Sequence, residues 1–456
     1  MAFFDRQKDL VRRAQPFRIT GRVTELTGLT VVAESLSVPT GSMCRIEPEN
    51  SEPIDAQVVG FSKDRTVVMP LSNPLGVAAG DPVRSSAAMQ QVPVGRGMLG
   101  RILDGMGRCI DRDEPFIVEA QYPVHADPPA ALSRRPIETP LPTGVRSMDL
   151  MLTVGGGQRV GIFAGTGIGK SVLMGMVARN TEADVTVVAL VGERGREVGD
   201  FLRKDLGEEG LRRTVLVVST SDESPVMRVR ACFLATAVAE YFRDLGNDVL
   251  LLMDSTTRMA MAQRQIGLAA GEPPATKGYT PSVFALLPRL LERAGHTDRG
   301  SITGLYTVLV EGDDINEPIS DAVRGTLDGH VWLSRDLANR GHYPAVSVLE
   351  SISRVMPDVV GPEHLTAARN VKRVLAVWAD IEDLVNIGAY AAGTNVEFDL
   401  AVEMKPRIDD LLRQGIEERA PFAESCQALL ALDAEIAALR SRLGARKGAP
   451  QEAAAT

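Results

Sequence analysis

The feature that most constrains this chain is the run 158–178, where the apolar strand pattern "QRVGIFA" breaks into the glycine-rich turn "GTGIGKS" and resumes as the helix pattern "VLMGMVA". A strand apolar on both faces and followed at once by a helix belongs to a parallel sheet covered on both sides. Ligands of such sheets bind at the carboxyl ends of the strands, where this turn lies. The turn has the layout of a P-loop, formed by Ala164, Gly165, Thr166, Gly167, Ile168, Gly169, Lys170 and Ser171. Glycines let successive backbone N–H groups converge on phosphate oxygens, and the helix N-terminus adds its positive dipole end. Lys170 reaches the β- and γ-phosphates and Ser171 ligates Mg²⁺. One departure is visible: Ala164 stands where the motif has its first glycine, which is tolerable if that residue keeps a negative φ. The competing reading is an ordinary glycine-rich turn that happens to contain a lysine.

A metal-bound triphosphate needs a carboxylate, and "NDVLLLMDSTTR" ends an apolar strand on Asp254, the layout of a Walker B strand. Hydrolysis also needs a group to orient and deprotonate water. Glu193, following the strand pattern "VTVVALV", is the candidate. Arg194, Arg196 and Glu197 beside it read equally well as a salt-bridged surface.

The rest of the chain is organised around that core. At 456 residues, and roughly 150 per domain, about three domains are expected. Residues 3–13 carry Phe3, Phe4, Leu10 and Val11 among charges, a short amphipathic helix or a frayed end. Residues 18–92 alternate in the manner of short strands broken by Gly, Pro, Asn and Asp, a small β-barrel. Six prolines between Pro123 and Pro142 predict an extended connector. The α/β core is assigned to 93–370. Helices are expected over 371–445, where Leu432, Ile436, Leu439 and Leu443 form one stripe, and a disordered tail over 446–456.

Composition excludes several classes. With 50 Lys+Arg against 59 Asp+Glu the formal charge is −9, so no general basic field gathers a nucleic-acid backbone. No aliphatic run approaches the roughly 20 residues needed to cross a bilayer. The four cysteines form no CxxC pair, which speaks against a zinc site or a disulfide framework and for a reducing cytosol.

Taken together, "AGTGIGKS", "GERGREV", "LLLMDSTTRMAMAQRQIG", "GEPPATKGYTPSVFALLPRLLERAG", "GSITGLYTVLVEGDDINEPISDAVRGTLDGHVWLSR" and "GHYPAVSVLESISRVMP" resemble one family. It is the flagellar-type protein export ATPase family, kin of virulence type III secretion ATPases and of the rotary ATP synthase catalytic subunit. The resemblance runs over roughly residues 18–440. It implies a RecA-like P-loop core between a barrel and a helical domain, with ATP as substrate and Mg²⁺ as cofactor. It assigns Glu193 as the glutamate that polarises water and Arg194 as its neighbour at the subunit boundary or phosphate region. Arg258 matches a basic residue near the γ-phosphate, and Arg354 of "SISR" an arginine finger donated to the adjoining protomer. Such a guanidinium neutralises charge on the γ-phosphoryl oxygens and is worth roughly 10³ to 10⁵ in rate. Tyr343 of "GHYPAV" matches an aromatic that packs on adenine. A structural salt bridge remains the alternative for Arg354, and a buried core tyrosine for Tyr343.

An arginine acting in trans requires a ring, so the resemblance implies a homohexamer with six equivalent sites. The loop "LAAGEPPATKGY" corresponds to a pore-facing segment, with a rigid surface loop as its alternative. Asp313 and Asp314 are candidates for contact with a central stalk protein. The N-terminal stripe corresponds in position to a segment that binds a regulatory stator-like export protein. Export gate, chaperones and export substrates are the other implied partners. The implied address is cytoplasmic, peripheral at the cytoplasmic face of the inner membrane. A virulence injectisome ATPase, a rotary ATP synthase subunit and an RNA-driven ring helicase are the competing readings.

Overall fold

The computed structural model describes residues 19–85, 90–310, 312, 314 and 316–448. The N-terminal stripe at Phe3–Val11, Asp313 and residues 449–456 lie outside the described residues. Six strands close a barrel in the order β1-β2-β5-β4-β3-β6. They are β1 (Ile19–Thr27), β2 (Thr30–Glu34), β3 (Met43–Ile46), β4 (Ile54–Ser62), β5 (Arg65–Pro70) and β6 (Pro82–Ser85). Alternation puts Val31, Ala33, Ile46, Ala56 and Val68 inside.

The barrel is shorter than its sequence pattern predicts. β7 (Gln91–Val94) pairs antiparallel with β9 (Ala120–Pro123), and Val92 and Val94 pack into the core of the next domain. Period-two alternation marks a strand without saying which sheet receives it, so the boundary falls at Ser85 instead of residue 92.

The large sheet has the order β17-β16-β10-β15-β13-β11-β12-β8. Its strands are β8 (Ile102–Leu103), β10 (Arg159–Ala164), β11 (Val185–Val191), β12 (Thr214–Ser219), β13 (Asp248–Asp254), β15 (Ser301–Leu309), β16 (Gly329–Leu333) and β17 (Val346–Ser353), with short β14 (Gly295–His296) on β15. All pair parallel except β14 and the edge strand β17. Every residue of β11 is buried, and alternate side chains face opposite ways. Val188, Leu190, Leu250 and Leu252 share one core with the P-loop helix Lys170–Asn180, whereas Val187, Ala189, Leu251 and Met253 share the other with the helix Pro225–Asp244. Each such leucine contributes about 1.5–3 kcal/mol by leaving water.

The P-loop helix is anchored at its far end. The Arg213 guanidinium donates to the carbonyls of Ala178, Arg179, Thr181 and Ala183 at 2.8–3.3 Å, satisfying carbonyls that the helix terminus leaves open. Gly144 lies so close to Asn180 that a Cβ there would come within 2.3 Å of the Asn180 Cβ. The proline-rich segment is extended as expected, apart from one 3₁₀ turn at Ala131–Ser133. It is held by Arg293, whose fully buried guanidinium bonds both oxygens of Glu240 and the Val124 carbonyl.

Three helices, Pro362–Asn386, Val396–Leu412 and Phe422–Gly448, complete the chain. The first crosses the boundary expected at residue 370. Its Ala367, Ala368 and Val371 bury into the same core as the P-loop helix, so no break in the pattern occurs there. The readable start is Gly361–Pro362, with proline at the first helical position. The last helix runs to Gly448 instead of ending at 445, because each added residue gains a backbone bond once a helix has formed. Leu432, Ile436 and Leu439 are buried, with Leu443 packed against them. No helix of the described residues is long and apolar enough to cross a membrane. All four cysteines carry free thiols.

Candidate active site

The phosphate turn leaves β10 at Ala164 and enters the helix at Lys170, with Gly169 as N-cap. Gly167 (φ +78°) and Gly169 (φ +88°) take left-handed conformations that only glycine adopts freely. Ala164 is not among the positive-φ residues, which explains why alanine serves there. Its carbonyl accepts the Val310 N–H at 3.0 Å, locking the strand end. The turn opens on a pocket of about 350 Å³ lined by Lys170, Ser171, Glu193, Arg194, Glu197 and Arg258, among others.

Lys170 and the two carboxylates come together from the carboxyl ends of β10, β11 and β13, with β15 lying between β10 and β13. The Lys170 ammonium bonds Asp254 directly and lies 3.5 Å from Glu193 Oε1. Burial pulls this ammonium's pKa down, but Asp254 and Glu193 outweigh it and hold the lysine above its usual value. Glu193 behaves in the opposite sense. Burial pushes its carboxyl up, Lys170 opposes, and the Asp254 charge adds to the rise, leaving it at about 7. A base poised near neutrality can both take and release a proton at working pH.

Local backbone explains this convergence. Gly192 (φ +71°) turns the chain after β11, and a Cβ there would come within 2.9 Å of the Arg258 Cβ. Glycine therefore lets Glu193 and Arg258 share one wall. Arg258 starts the helix Thr256–Ala269, whose N-cap Ser255 accepts the Arg258 N–H at 3.2 Å. Arg194 is 81% exposed and 3.8 Å from Glu197, so it lines the rim. Arg196 pairs with Asp200 on the surface.

Tyr343, the residue expected to pack on adenine, has a cis peptide to Pro344. Its ring is 46% exposed, which removes the reading of a buried core tyrosine. A Cβ on Gly169 would stand 3.6 Å from the Tyr343 ring, so the ring borders the phosphate turn. Arg354 is not brought to this pocket. It is exposed just past β17, and its N–H donates to the Asp328 carbonyl at 3.0 Å. Lys277 of the glycine- and proline-rich loop lies 3.6 Å from Asp314, joining the two loops expected at the pore and stalk.

Thr307 went unnoticed in the sequence. Its hydroxyl donates to Asp254 Oδ1 at 2.7 Å, fixing the carboxylate that Lys170 also holds. The available signal was a threonine near the carboxyl end of the buried strand β15, the edge where ligands bind. Arg335, which donates to the Thr166 carbonyl at 3.3 Å, carried no such signal. A hydroxyl (Ser171) and a carboxylate (Asp254) are hard oxygen donors that fit Mg²⁺, which takes one or two carboxylates plus phosphate and water oxygens. The described residues contain no cluster of three or more His, Cys, Asp or Glu that would favour another metal.

Residues 144–353 match the ATP synthase alpha/beta family, nucleotide-binding domain, and residues 360–431 match the T3SS EscN ATPase C-terminal domain. The chain is 49% identical to the flagellum-specific ATP synthase of Bacillus subtilis (strain 168), over 93% of this chain and 97% of that one. It is 48% identical to the flagellum-specific ATP synthase of Salmonella typhimurium, over 90% and 92%. The type 3 secretion system ATPase of Xanthomonas euvesicatoria is 45% identical over 90% and 93%. Among solved structures, the assembled ATPase EscN of the enteropathogenic E. coli type III secretion system superposes with a TM-score of 0.84 at 40% identity, covering 91% of this chain and all of that one. EscN in complex with its central stalk EscO gives 0.83 at the same identity and coverage. A buried lysine between two carboxylates at the mouth of a P-loop, on a chain related at this level end to end, makes the protein a member of the flagellar and type III secretion ATPase family, an ATP-hydrolysing enzyme of flagellar protein export.

Proposed function

We propose that the protein hydrolyses Mg·ATP as a homohexameric ring and that turnover prepares or energises export through the flagellar secretion apparatus. The observation that carries this reading is Lys170 held between Glu193 and Asp254 at the carboxyl edge of the sheet. Mg²⁺ held by Ser171 and Asp254 would supply positive charge to the β- and γ-phosphates. Backbone N–H groups of residues 165–171 and the Lys170 ammonium bind the triphosphate and orient it. Glu193 accepts the proton of the attacking water, and its elevated pKa suits a group that must release that proton afterwards. Arg258, on the same wall, faces the charge that develops on the phosphoryl oxygens.

Arg354 completes the site of a neighbouring copy. Its exposure at the sheet edge, away from its own pocket, is what such a role requires. Arg194 at the rim is placed for the same boundary. A central stalk protein would enter at the Lys277 and Asp314 loops, by analogy with EscN and its stalk EscO. The N-terminal segment is assigned to a stator-like regulator, and the gate, chaperones and export substrates are further partners. Nucleic acid is not among them, and the ring would sit in the cytoplasm against the inner membrane without spanning it.

Mixing Arg354→Ala with Lys170→Ala tests this directly. Each variant alone is inactive, but a site pairing the lysine of one copy with the arginine of the other is intact. In an equimolar ring of heterologous interfaces such sites are about one in four, so recovery approaches about a quarter of wild-type turnover. No recovery at any ratio removes Arg354 from the trans role.

A further inference from the structure

Tyr343 does not stand on the nucleotide-binding domain alone. Its turn, between the helix Arg335–Asn339 and β17, touches the C-terminal helical domain at two helices and one connector. Arg340 pairs with Glu382, and His342 Nδ1 lies 3.8 Å from Asp409. The Tyr343 carbonyl accepts the backbone N–H of Gln414 at 3.0 Å.

Gln414 is 5% exposed and sits in the connector between the last two helices. Its side-chain amide ties that connector to the start of the core. Oε1 accepts the Arg146 N–H at 2.8 Å, while Nε2 donates to the carbonyls of Gly144 and Glu418 at 2.9 Å each. Both N–H groups of the amide are used, so a carboxylate at this position would face two carbonyls with no donor, and an apolar residue would leave them unpaired. The same connector reaches the P-loop helix, because Arg179 bonds Glu417 and the Ile416 carbonyl.

We propose that Gln414 is a positioning residue for base recognition: by pinning the connector, it holds the backbone N–H that fixes Tyr343 beside the phosphate turn. The nucleobase is thus read through a contact set by the helical domain, while the phosphates are read by the core alone. This inference depends on Tyr343 packing against the base.

The test measures dissociation constants of ADP and of inorganic tripolyphosphate on the full chain, for wild type, Gln414→Met, Tyr343→Ala and the double variant. Gln414→Met is expected to weaken ADP by about threefold to tenfold, part of what a base–aromatic stack is worth, with tripolyphosphate unchanged. In the Tyr343→Ala background, Gln414→Met should add nothing further. Equal losses for both probes, or full additivity in the double variant, overturn the proposal by showing general loosening. If Tyr343→Ala weakens ADP but Gln414→Met does not, the inference alone falls. If Tyr343→Ala leaves ADP unaffected, the reading of the ring falls and takes the inference with it. Glu418→Gln is the gentler variant should Gln414→Met not fold. It loosens the Arg146 pair and the Gly415 N–H bond to Glu418 Oε2 at 2.9 Å, and the same pattern of losses is required of it.

Discussion

Around the phosphate turn, the charged groups come from the carboxyl edge of one parallel sheet, whereas Tyr343, which the proposed reading makes the base end, joins a surface turn to a connector some seventy residues further along. The phosphate end is buried and charge-paired: the side chains of Lys170, Glu193 and Asp254 are 10%, 13% and 4% exposed. The Tyr343 turn is half-open, and a backbone bond ties it to the connector that holds Gln414. On the proposed reading, charge chemistry is confined to the rigid element, and recognition of the base to a junction between domains. A rigid sheet suits groups that must meet within a fraction of an ångström, while a junction can respond to what the helical domain does.

Four measurements would break or sharpen that contrast. The largest effect is expected from Lys170→Ala, which should abolish binding of ADP and tripolyphosphate alike; calorimetry showing retained binding of either would detach the lysine from the phosphates. Next is Glu193→Gln, which should keep nucleotide affinity and lower turnover by about 10²- to 10⁴-fold, the usual share of a general base. The pH profile carries the same information. Protonated Glu193 cannot accept a proton, and its carboxyl titrates near 7, so kcat/KM should be full above that pH. It should fall about tenfold per unit below it. A profile flat down to pH 5 would assign the base elsewhere. The smallest effect is that of Tyr343→Ala, about fivefold to a hundredfold on ADP affinity at unchanged tripolyphosphate affinity. If tripolyphosphate weakens as well, the two ends are not separable.

Much of the phosphate end was legible because its chemistry is local in the chain. Lys170 and Ser171 belong to one turn and Asp254 ends an apolar strand, so spacing pointed to one edge, whereas Glu193 lies two residues past its strand and took its role from the family resemblance. Thr307 was missed because one hydroxyl in a strand looks like any β-propensity threonine until its partner is known. Gln414 could not have been found at all: its importance lies in carbonyls of Gly144 and Glu418 and a backbone bond to Tyr343, none of which leaves a mark in composition or period. The domain boundaries slipped for a related reason. Alternation at 91–94 and the helical stripe across 362–371 identify element types, while partners are decided by tertiary packing.

The P-loop helix is clamped at both ends, by the glycine turn at Lys170 and by Arg213, Gly144 and Arg179 at Asn180. Eleven residues make a rod about 16 Å long. Along its axis such a rod hardly compresses, so the clamp that the core residue Arg213 forms at the far end also limits how far the glycine turn can shift along the rod.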